Sequence, residues 1–337
     1  MKRSGAKVTA LDVARRAGVS QPTVSRVFSH SASGSVRHSV RVKVEQAAND
    51  LGYRPNTLAR SLITGRSHTI GVVVAYLENP FYAEALEKLS ASLTAEGYHI
   101  SIFFAANMEE EVDPLVEKLL AQQVDGIILA SVSMSNRLTK RLKQTGVPFV
   151  LFNRGQKDDD LAAVTAANYE GGRKAGEFLL ASGHENIAHV AGWQRSLNGR
   201  ERQQGLVDAL AHHGQKPCAV IDGMFDRETA AQAARDLFKG QAKPDAIFVG
   251  NDHMAFAVLE VLKQELVLDV PGDVAVLGYD DVKMAAWTSY NLSTLRQPAN
   301  RMVQATTKML IEMIDNPDIQ PGKIRIESDL ILRGTTR

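Results

Sequence analysis

Two hydrophobic periods divide this chain. Up to about residue 51 the apolar positions recur every three or four residues, the spacing of helices with one buried face. Thr9-Ala-Leu-Asp12 has capping-box form, with aspartate in place of the usual glutamate, and predicts a short helix to about Ala17. Gly18 supplies the freedom for a tight turn, Val19 points inward, and Ser20 is a second N-cap with Pro22 tolerated in the first turn. In the helix that follows, Val24, Val27 and Phe28 share one face, while Gln21, Pro22, Ser25 and Arg26 fall on the other. A loop from Ser29 to Ser35 leads to a third helix, about 39–51, whose apolar positions Val40, Val44, Ala47, Ala48 and Leu51 complete a three-helix core.

From Thr69 the pattern becomes short, continuous apolar runs separated by amphipathic stretches. Residues 70–74, 100–104, 126–130 and 149–152 are strand-like, with helices near 81–96, 109–122 and 135–145. A second series of strands at 187–191, 219–221, 246–249 and 274–278 is interleaved with helices near 168–182, 199–213, 227–239 and 252–264. Continuous apolar strands alternating with helices predict parallel sheets covered on both faces, and two such series predict two doubly wound subdomains. Between the two patterns, Asn56 can cap a helix from Thr57 to about Leu62, which is too short to be stable alone. Thr64-Gly-Arg-Ser-His68 reads as a flexible joint.

Charge separates the same two regions. Residues 1–66 carry 12 Lys and Arg against three acidic residues, a net of +9, whereas the remainder carries 27 basic and 35 acidic residues, a net of −8. A basic head on an acidic body fits a phosphate-binding module joined to a domain that repels nucleic acid. At 337 residues the chain suits two or three units of roughly 100–150 residues each. No apolar run approaches the roughly 18 residues needed to cross a bilayer, and the N-terminus lacks the apolar segment of a secretory signal, so a cytoplasmic protein is expected. The single cysteine, Cys218, supports neither an internal disulfide nor, by itself, a metal or redox site.

Two short helices joined by a glycine turn, the second exposing polar side chains at its start, describe a helix-turn-helix unit whose second helix enters the major groove. The runs Asp12-Val-Ala, Ala17-Gly-Val-Ser, Thr23-Val-Ser-Arg-Val, Leu51-Gly-Tyr-Arg-Pro-Asn and Ala59-Arg-Ser-Leu resemble, in order and spacing, the headpiece of the lactose-repressor (LacI/GalR) family of transcription regulators. Ser29 stands where asparagine is usual, the Ser29 to Ser35 loop is about two residues longer, and Arg37 replaces a small cap. The resemblance implies that Gln21, Pro22 and Arg26 meet base edges and that Thr23 and Ser25 touch or support phosphate contacts. Arg26 is suited to the O6 and N7 atoms of guanine. It further implies that Asn56 to Leu62 form a hinge helix that pairs with its dimer mate in the minor groove, Ala59 in close contact and Leu62 as a wedge that kinks the DNA.

Ligands of doubly wound sheets bind beyond the carboxyl ends of the strands. There the chain carries Asn79-Pro-Phe-Tyr82, Asn153-Arg154, Trp193 and the loop to Arg202, Phe225, Asn251-Asp252 and Asp280-Asp281, a set suited to a small polyhydroxylated or weakly anionic molecule. Asn79-Pro-Phe-Tyr, Asn168-Tyr-Glu-Gly-Gly, Gly250-Asn-Asp, Gly278-Tyr-Asp and Leu295-Arg-Gln-Pro resemble recurring marks of the same family's effector domain, itself similar to periplasmic sugar-binding proteins. By position, the resemblance implies an effector cleft lined by Phe81, Tyr82, Asn153, Arg202, Phe225, Asn251 and Asp280. Arg154, beside an asparagine where aspartate is frequent, tilts the expected ligand towards a sugar acid. Asp252 and Asp280 could equally cap the helices that follow.

The expected organisation is a helix-turn-helix headpiece over 1–53, a hinge helix and linker over 54–67, and an effector-binding and dimerisation domain of two α/β subdomains over 68–337. The expected partners are pseudo-palindromic double-stranded operator DNA, a sugar or sugar-acid effector, and a second copy of the chain meeting it near 81–96 and 284–313. No leucine heptad follows at the C-terminus, and no membrane partner or cofactor is expected. His184 and His189 are five apart where a zinc-binding helical pair needs four, His212-His213 diverge, and neither a phosphate loop nor a G-x-S-x-G elbow occurs, so an enzyme is not expected. A stand-alone solute-binding protein would share the body but need a signal peptide and no basic head, and a sugar-processing enzyme would need catalytic geometry.

Overall fold

Thr9 opens the first helix as its sequence suggests. Its hydroxyl accepts from the Asp12 amide at 3.4 Å while Asp12 Oδ2 accepts from the Thr9 amide at 3.0 Å, the reciprocal capping box that starts α1 (Ala10–Ala17). Gly18 ends α1 in the left-handed region at φ 66°, where a Cβ would be strained. Helices α2 (Gln21–Val27) and α3 (His38–Leu51) follow, and Gly52 closes α3 in the same left-handed way. Ser20 holds the N-cap position of α2 without a side-chain cap bond, because its hydroxyl pairs with that of Thr23 at 2.9 Å. The helices bury Val13, Ala14, Val24, Val27, Val44, Ala47 and Ala48, and Phe28 and Tyr53 lean together at 5.9 Å between ring centroids.

The computed structural model describes residues 8–28, 36–54, 65–105, 109–130, 135–155, 161–240, 243–319 and 322–337. Backbone contacts divide the chain into two units, Met1–His68 and Thr69–Arg337. Asn56, Ala59, Leu62 and all of the Ser29–Ser35 loop lie outside the described residues. Among the described residues, no helix is long and apolar enough to cross a membrane.

The second unit holds two six-stranded sheets. The first joins β1 (Thr69–Val74), β2 (His99–Phe104), β3 (Gly126–Ala130), β4 (Phe149–Phe152), β5 (Ala163–Ala166) and β11 (Lys323–Ile326) in the order β11-β5-β4-β3-β1-β2, every pair parallel. The second joins β6 (Ile187–Ala191), β7 (Ala219–Asp222), β8 (Ala246–Val249), β9 (Ala275–Asp280), β10 (Ser293–Arg296) and β12 (Asp329–Ile331) in the order β12-β10-β9-β8-β6-β7, antiparallel only at β10–β12. The helices between these strands are α4 (Pro80–Ala95), α5 (Glu109–Ala121), α6 (Asn136–Thr145), α7 (Asn168–Ala181), α8 (Leu197–His212), α9 (Arg227–Leu237), α10 (Asp252–Glu260) and α11 (Ala299–Asp315). Strands β3, β4, β8 and β9 are buried along their whole length, as covered parallel sheets require.

The two subdomains are not consecutive pieces of chain. After β5 the backbone passes to the second subdomain, after β10 it returns to pack α11 on β4 and β5, and after β11 it leaves again for β12. Simple succession of the two series missed this interleaving because β10, β11 and β12 are only three or four residues long and β10 and β11 are interrupted by polar side chains, as in Ser293-Thr-Leu-Arg296. Glycine sets the closest helix contact. A Cβ on Gly172 of α7 would lie 2.0 Å from the Arg202 carbonyl of α8, and one on Gly205 of α8 would lie 2.0 Å from the Tyr169 carbonyl of α7.

Candidate functional site

In the first unit, helical periodicity sends Val24 and Val27 inward and leaves Gln21, Pro22, Ser25 and Arg26 exposed on one face, with Thr23 half-buried beside them. This face carries amide, hydroxyl and guanidinium donors and stands on a packed core, so its side chains are free to meet a partner without unfolding the unit. All five predicted residues of α2 therefore sit together or adjoin.

In the second unit, a cavity of about 220 Å³ opens at the carboxyl ends of both sheets. Of the eight residues expected there, seven line it: Tyr82, Asn153, Arg154, Arg202, Phe225, Asn251 and Asp280. Phe81 does not. As the second residue of α4 it turns onto the sheet, 4% exposed, and stacks on Phe152 with 6.4 Å between centroids. Tyr76, Asn79, Asn198, Met224, Asp226 and Gln297 complete the lining. Asn79 opens the Asn79-Pro-Phe-Tyr82 motif and is the N-cap of α4, accepting from the Phe81 amide at 3.0 Å. Gln297 lies in the Leu295-Arg-Gln-Pro motif, but only the second crossover brings it to the cavity.

Arg202 and Asp280 form the polar centre. The guanidinium donates from Nε to Asn168 Oδ1 at 2.9 Å and from Nη1 to the Gly250 carbonyl at 2.6 Å, and lies 3.6 Å over the Tyr279 ring. Its Nη1 is 3.8 Å from Asp280 Oδ1, and that carboxylate also accepts from Asn79 Nδ2 at 2.8 Å and Gln297 Nε2 at 2.5 Å. Burial pushes the Asp280 carboxyl up, opposed by Arg202 and by the two amide donors. Arg154, also buried, lies 5.7 Å from the Trp193 ring centroid, and desolvation lowers its guanidinium pKa.

Several lining residues hold strained backbone. Asn153, Met224, Phe225 and Asp280 have φ of 51°, 54°, 58° and 129°, conformations that cost of order 1–3 kcal/mol each and are held by the surrounding fold. The Phe225 ring lies where a Cβ on Gly192 would come within 2.1 Å, so glycine there makes room for the ring. Contacts cross the cleft at several points. Tyr76 donates to the Phe225 carbonyl, Asn79 to Asp280, and Asn198 Nδ2 to the Asn153 carbonyl at 2.9 Å. Asp252 and Asp281 stay out of the cavity lining. Asp252 accepts from Thr294 Oγ1 at 2.6 Å and the Val282 amide at 3.0 Å, and Asp281 pairs with Arg296 and Arg333, each at 2.6 Å.

Comparison with known proteins matches both units. The family described as periplasmic binding proteins and sugar binding domain of LacI family covers residues 67–333, and bacterial regulatory proteins, lacI family, covers residues 9–56. The chain is 32% identical over 331 residues to the ribose operon repressor of Escherichia coli (strain K12), spanning 97% of this chain and 99% of that one. A solved structure of the lac repressor dimer bound to operator and the anti-inducer ONPF superposes with a TM-score of 0.86 at 27% identity, covering 98% of this chain and 99% of that one. The complex of the transcriptional regulator CelR with cellobiose gives 0.74 at 31% identity, covering 98% of this chain and 100% of that one. A helix-turn-helix head followed in sequence by two parallel-sheet subdomains, matched along nearly the whole chain, places this protein in the LacI family of bacterial regulatory proteins.

Proposed function

We propose that the protein is a homodimeric, cytoplasmic repressor whose affinity for operator DNA is controlled by a sugar or sugar acid held between its α/β subdomains. The observation that carries the effector half of this reading is the cavity at the carboxyl ends of both sheets, with Arg202, Asp280, Asn153 and Phe225 converging on it. Ring faces suit the apolar faces of a sugar, and the amide and guanidinium groups suit its oxygens. Because the lining comes from both subdomains, a ligand there changes the balance between their arrangements, provided that it binds one arrangement more tightly than the other. The similarity to the ribose operon repressor and to CelR in complex with cellobiose agrees with a sugar. The protein works by binding, and no catalytic step is assigned to it.

On the DNA side, Gln21, Pro22 and Arg26 read base edges while Thr23 and Ser25 hold the backbone. Asn56, Ala59 and Leu62 serve in the linker over 54–67 as the minor-groove element, between the headpiece over 1–53 and the effector domain over 68–337. Two-fold symmetry of the dimer demands a pseudo-palindromic site. The test is selection of duplexes from a random pool by the full chain. A symmetric site should emerge, and Arg26→Ala should weaken it by about 1–3 kcal/mol and relax one base position in each half. Selection that returns no symmetric sequence, or an Arg26→Ala protein with unaltered preference, would remove this assignment.

A further inference from the structure

One contact across the cleft involves a titratable group that does not line the effector cavity. Tyr76, just past β1 in the first subdomain, donates its hydroxyl to the Phe225 carbonyl of the second, and its ring stands edge-on to the His253 imidazole, 5.9 Å between centroids at 87°. His253 is the second residue of α10, after the N-cap Asn251, and so belongs to the second subdomain. Its Nε2 is buried and has no hydrogen-bond partner. A ring from one subdomain therefore packs on an imidazole of the other that has one nitrogen unserved.

A neutral imidazole is tolerated in this place; an imidazolium is not. The charged ring carries N–H donors on both nitrogens, and the one on Nε2 finds no acceptor. Its charge would also sit at the positive amino end of α10, with Arg227 of α9 nearby. Two carboxylates act the other way, Glu78 from the first subdomain and Asp226 at the N-cap of α9, but Asp226 Oδ1 is spent on the Thr229 amide at 2.7 Å and hydroxyl at 2.6 Å. Asp252, beside His253 in sequence, turns its carboxylate to Thr294 and the Val282 amide. Burial and Arg227 outweigh the two carboxylates and hold the His253 pKa below its ordinary 6.5. Resting on the reading of this cleft as one whose subdomains change their arrangement, we propose that His253 and Tyr76 form a proton-sensitive latch: the closed cleft keeps the imidazole neutral, and a proton taken up by His253 favours the open one. Once the subdomains part, water reaches Nε2 and the charged form is no longer penalised. A proton and a ligand that favour opposite arrangements weaken each other by the same factor, so acid loosens any effector that the closed cleft holds.

The test is amide hydrogen exchange of the full chain, without ligand, at about pH 7.5 and about pH 5.5, with rates corrected for the intrinsic effect of pH. This window lies above the value of about 4 to which burial lowers His189. At the lower pH the segments 222–228 and 250–254 should exchange about fivefold faster relative to β3 and β8, whereas His253→Gln should show one rate at both. A parent without this pH effect, or an effect that His253→Gln keeps, overturns the latch and leaves the effector cleft standing. Cleft segments that exchange only in step with β3 and β8 would mean that the subdomains do not part on their own, and the cleft reading falls together with the latch. Should His253→Gln fold poorly, Tyr76→Ala withdraws the ring and keeps the imidazole. Its cleft segments should exchange fast at both pH values, and a pH effect as large as the parent's overturns the latch.

Discussion

The headpiece and the effector cleft solve opposite problems. In the headpiece the side chains proposed to meet DNA, Gln21, Pro22, Ser25 and Arg26, are exposed and lean on a separate core of Val13, Val24, Val27 and Val44. In the cleft the side chains proposed to meet the effector are themselves buried, and each holds another in place: Arg202 rests on Tyr279 and Asn168, and Asp280 is shared by Arg202, Asn79 and Gln297. Recognition and stability are thus separable in the first region and coupled in the second. Changes at the DNA face should cost affinity and little else, whereas changes at the cleft should cost both.

The sharpest way to break that contrast is to part the helices that carry Arg202. In Gly172→Val the new side chain meets the Arg202 carbonyl, which a Cβ alone would approach to 2.0 Å, and a backbone atom cannot swing aside. The expected loss exceeds about 4 kcal/mol, at the extreme for single substitutions, and should lower the main calorimetric transition by roughly 8 °C or more. An unchanged transition would mean that α7 and α8 separate at no cost. Next in size, Arg202→Met leaves Asp280 buried without its cation and should cost about 3–5 kcal/mol as well as the ligand response. Adding Asp280→Asn should restore much of the stability but none of the response. If the double variant regained the response, the pair would be structural only.

A third test uses acidity. Burial pushes His189 down to about 4 from its ordinary 6.5, with its Nδ1 against the Phe248 carbonyl at 2.8 Å. The folded chain therefore keeps this imidazole neutral while the unfolded chain takes up a proton. Its contribution is complete above pH 6.5 and is lost as the pH falls towards 4, a change of about 3 kcal/mol. Asp252 acts in the other direction. Burial pushes its carboxyl up to about 8, so its contribution is full at low pH and is lost as the pH rises through that value. The measurement is thus the difference between parent and His189→Phe in denaturant midpoint from pH 7 to pH 4.5, which should narrow steadily as the parent loses its advantage. A constant difference would place the proton elsewhere.

The same contrast explains what could be read in advance. The headpiece was legible to within a residue or two, since caps, a glycine turn and a helical period are local signals: α1 and α2 fall where Thr9, Gly18 and Ser20 place them, and α3 begins at His38 rather than Ser39. In the body the long apolar strands were equally plain. Strands β5, β10, β11 and β12 were not, because they are three or four residues long and two of them, β10 and β11, are half or more polar. The cleft followed from strand ends and position, and Phe81 shows the limit of that method. Neighbouring residues at a helix start point in different directions, and Tyr82 rather than Phe81 reaches the cavity. Gln297 and Tyr76 depend on crossovers and on packing across the cleft, which no local pattern encodes.

The smallest expected effect sharpens the comparison from the headpiece side. Thr9 and Asp12 are the only described residues joined in a capping box at α1, and the hydrogen bonds from Thr9 hold the Asp12 carboxyl below its ordinary value. Thr9→Ala removes the hydroxyl from both partnerships and should cost the headpiece about 1 kcal/mol. Since Gln21 and Arg26 stand on α2, their geometry depends on the core and on Gly18, not on this cap. Amide hydrogen exchange of α1 should therefore quicken roughly fivefold while that of β3 and β8 stays constant, and affinity for the selected duplex should fall only by the fraction of headpiece that is unfolded. A loss of affinity larger than that fraction would mean that α1 itself meets the DNA, and the separation of recognition from stability in the headpiece would fail at its first helix.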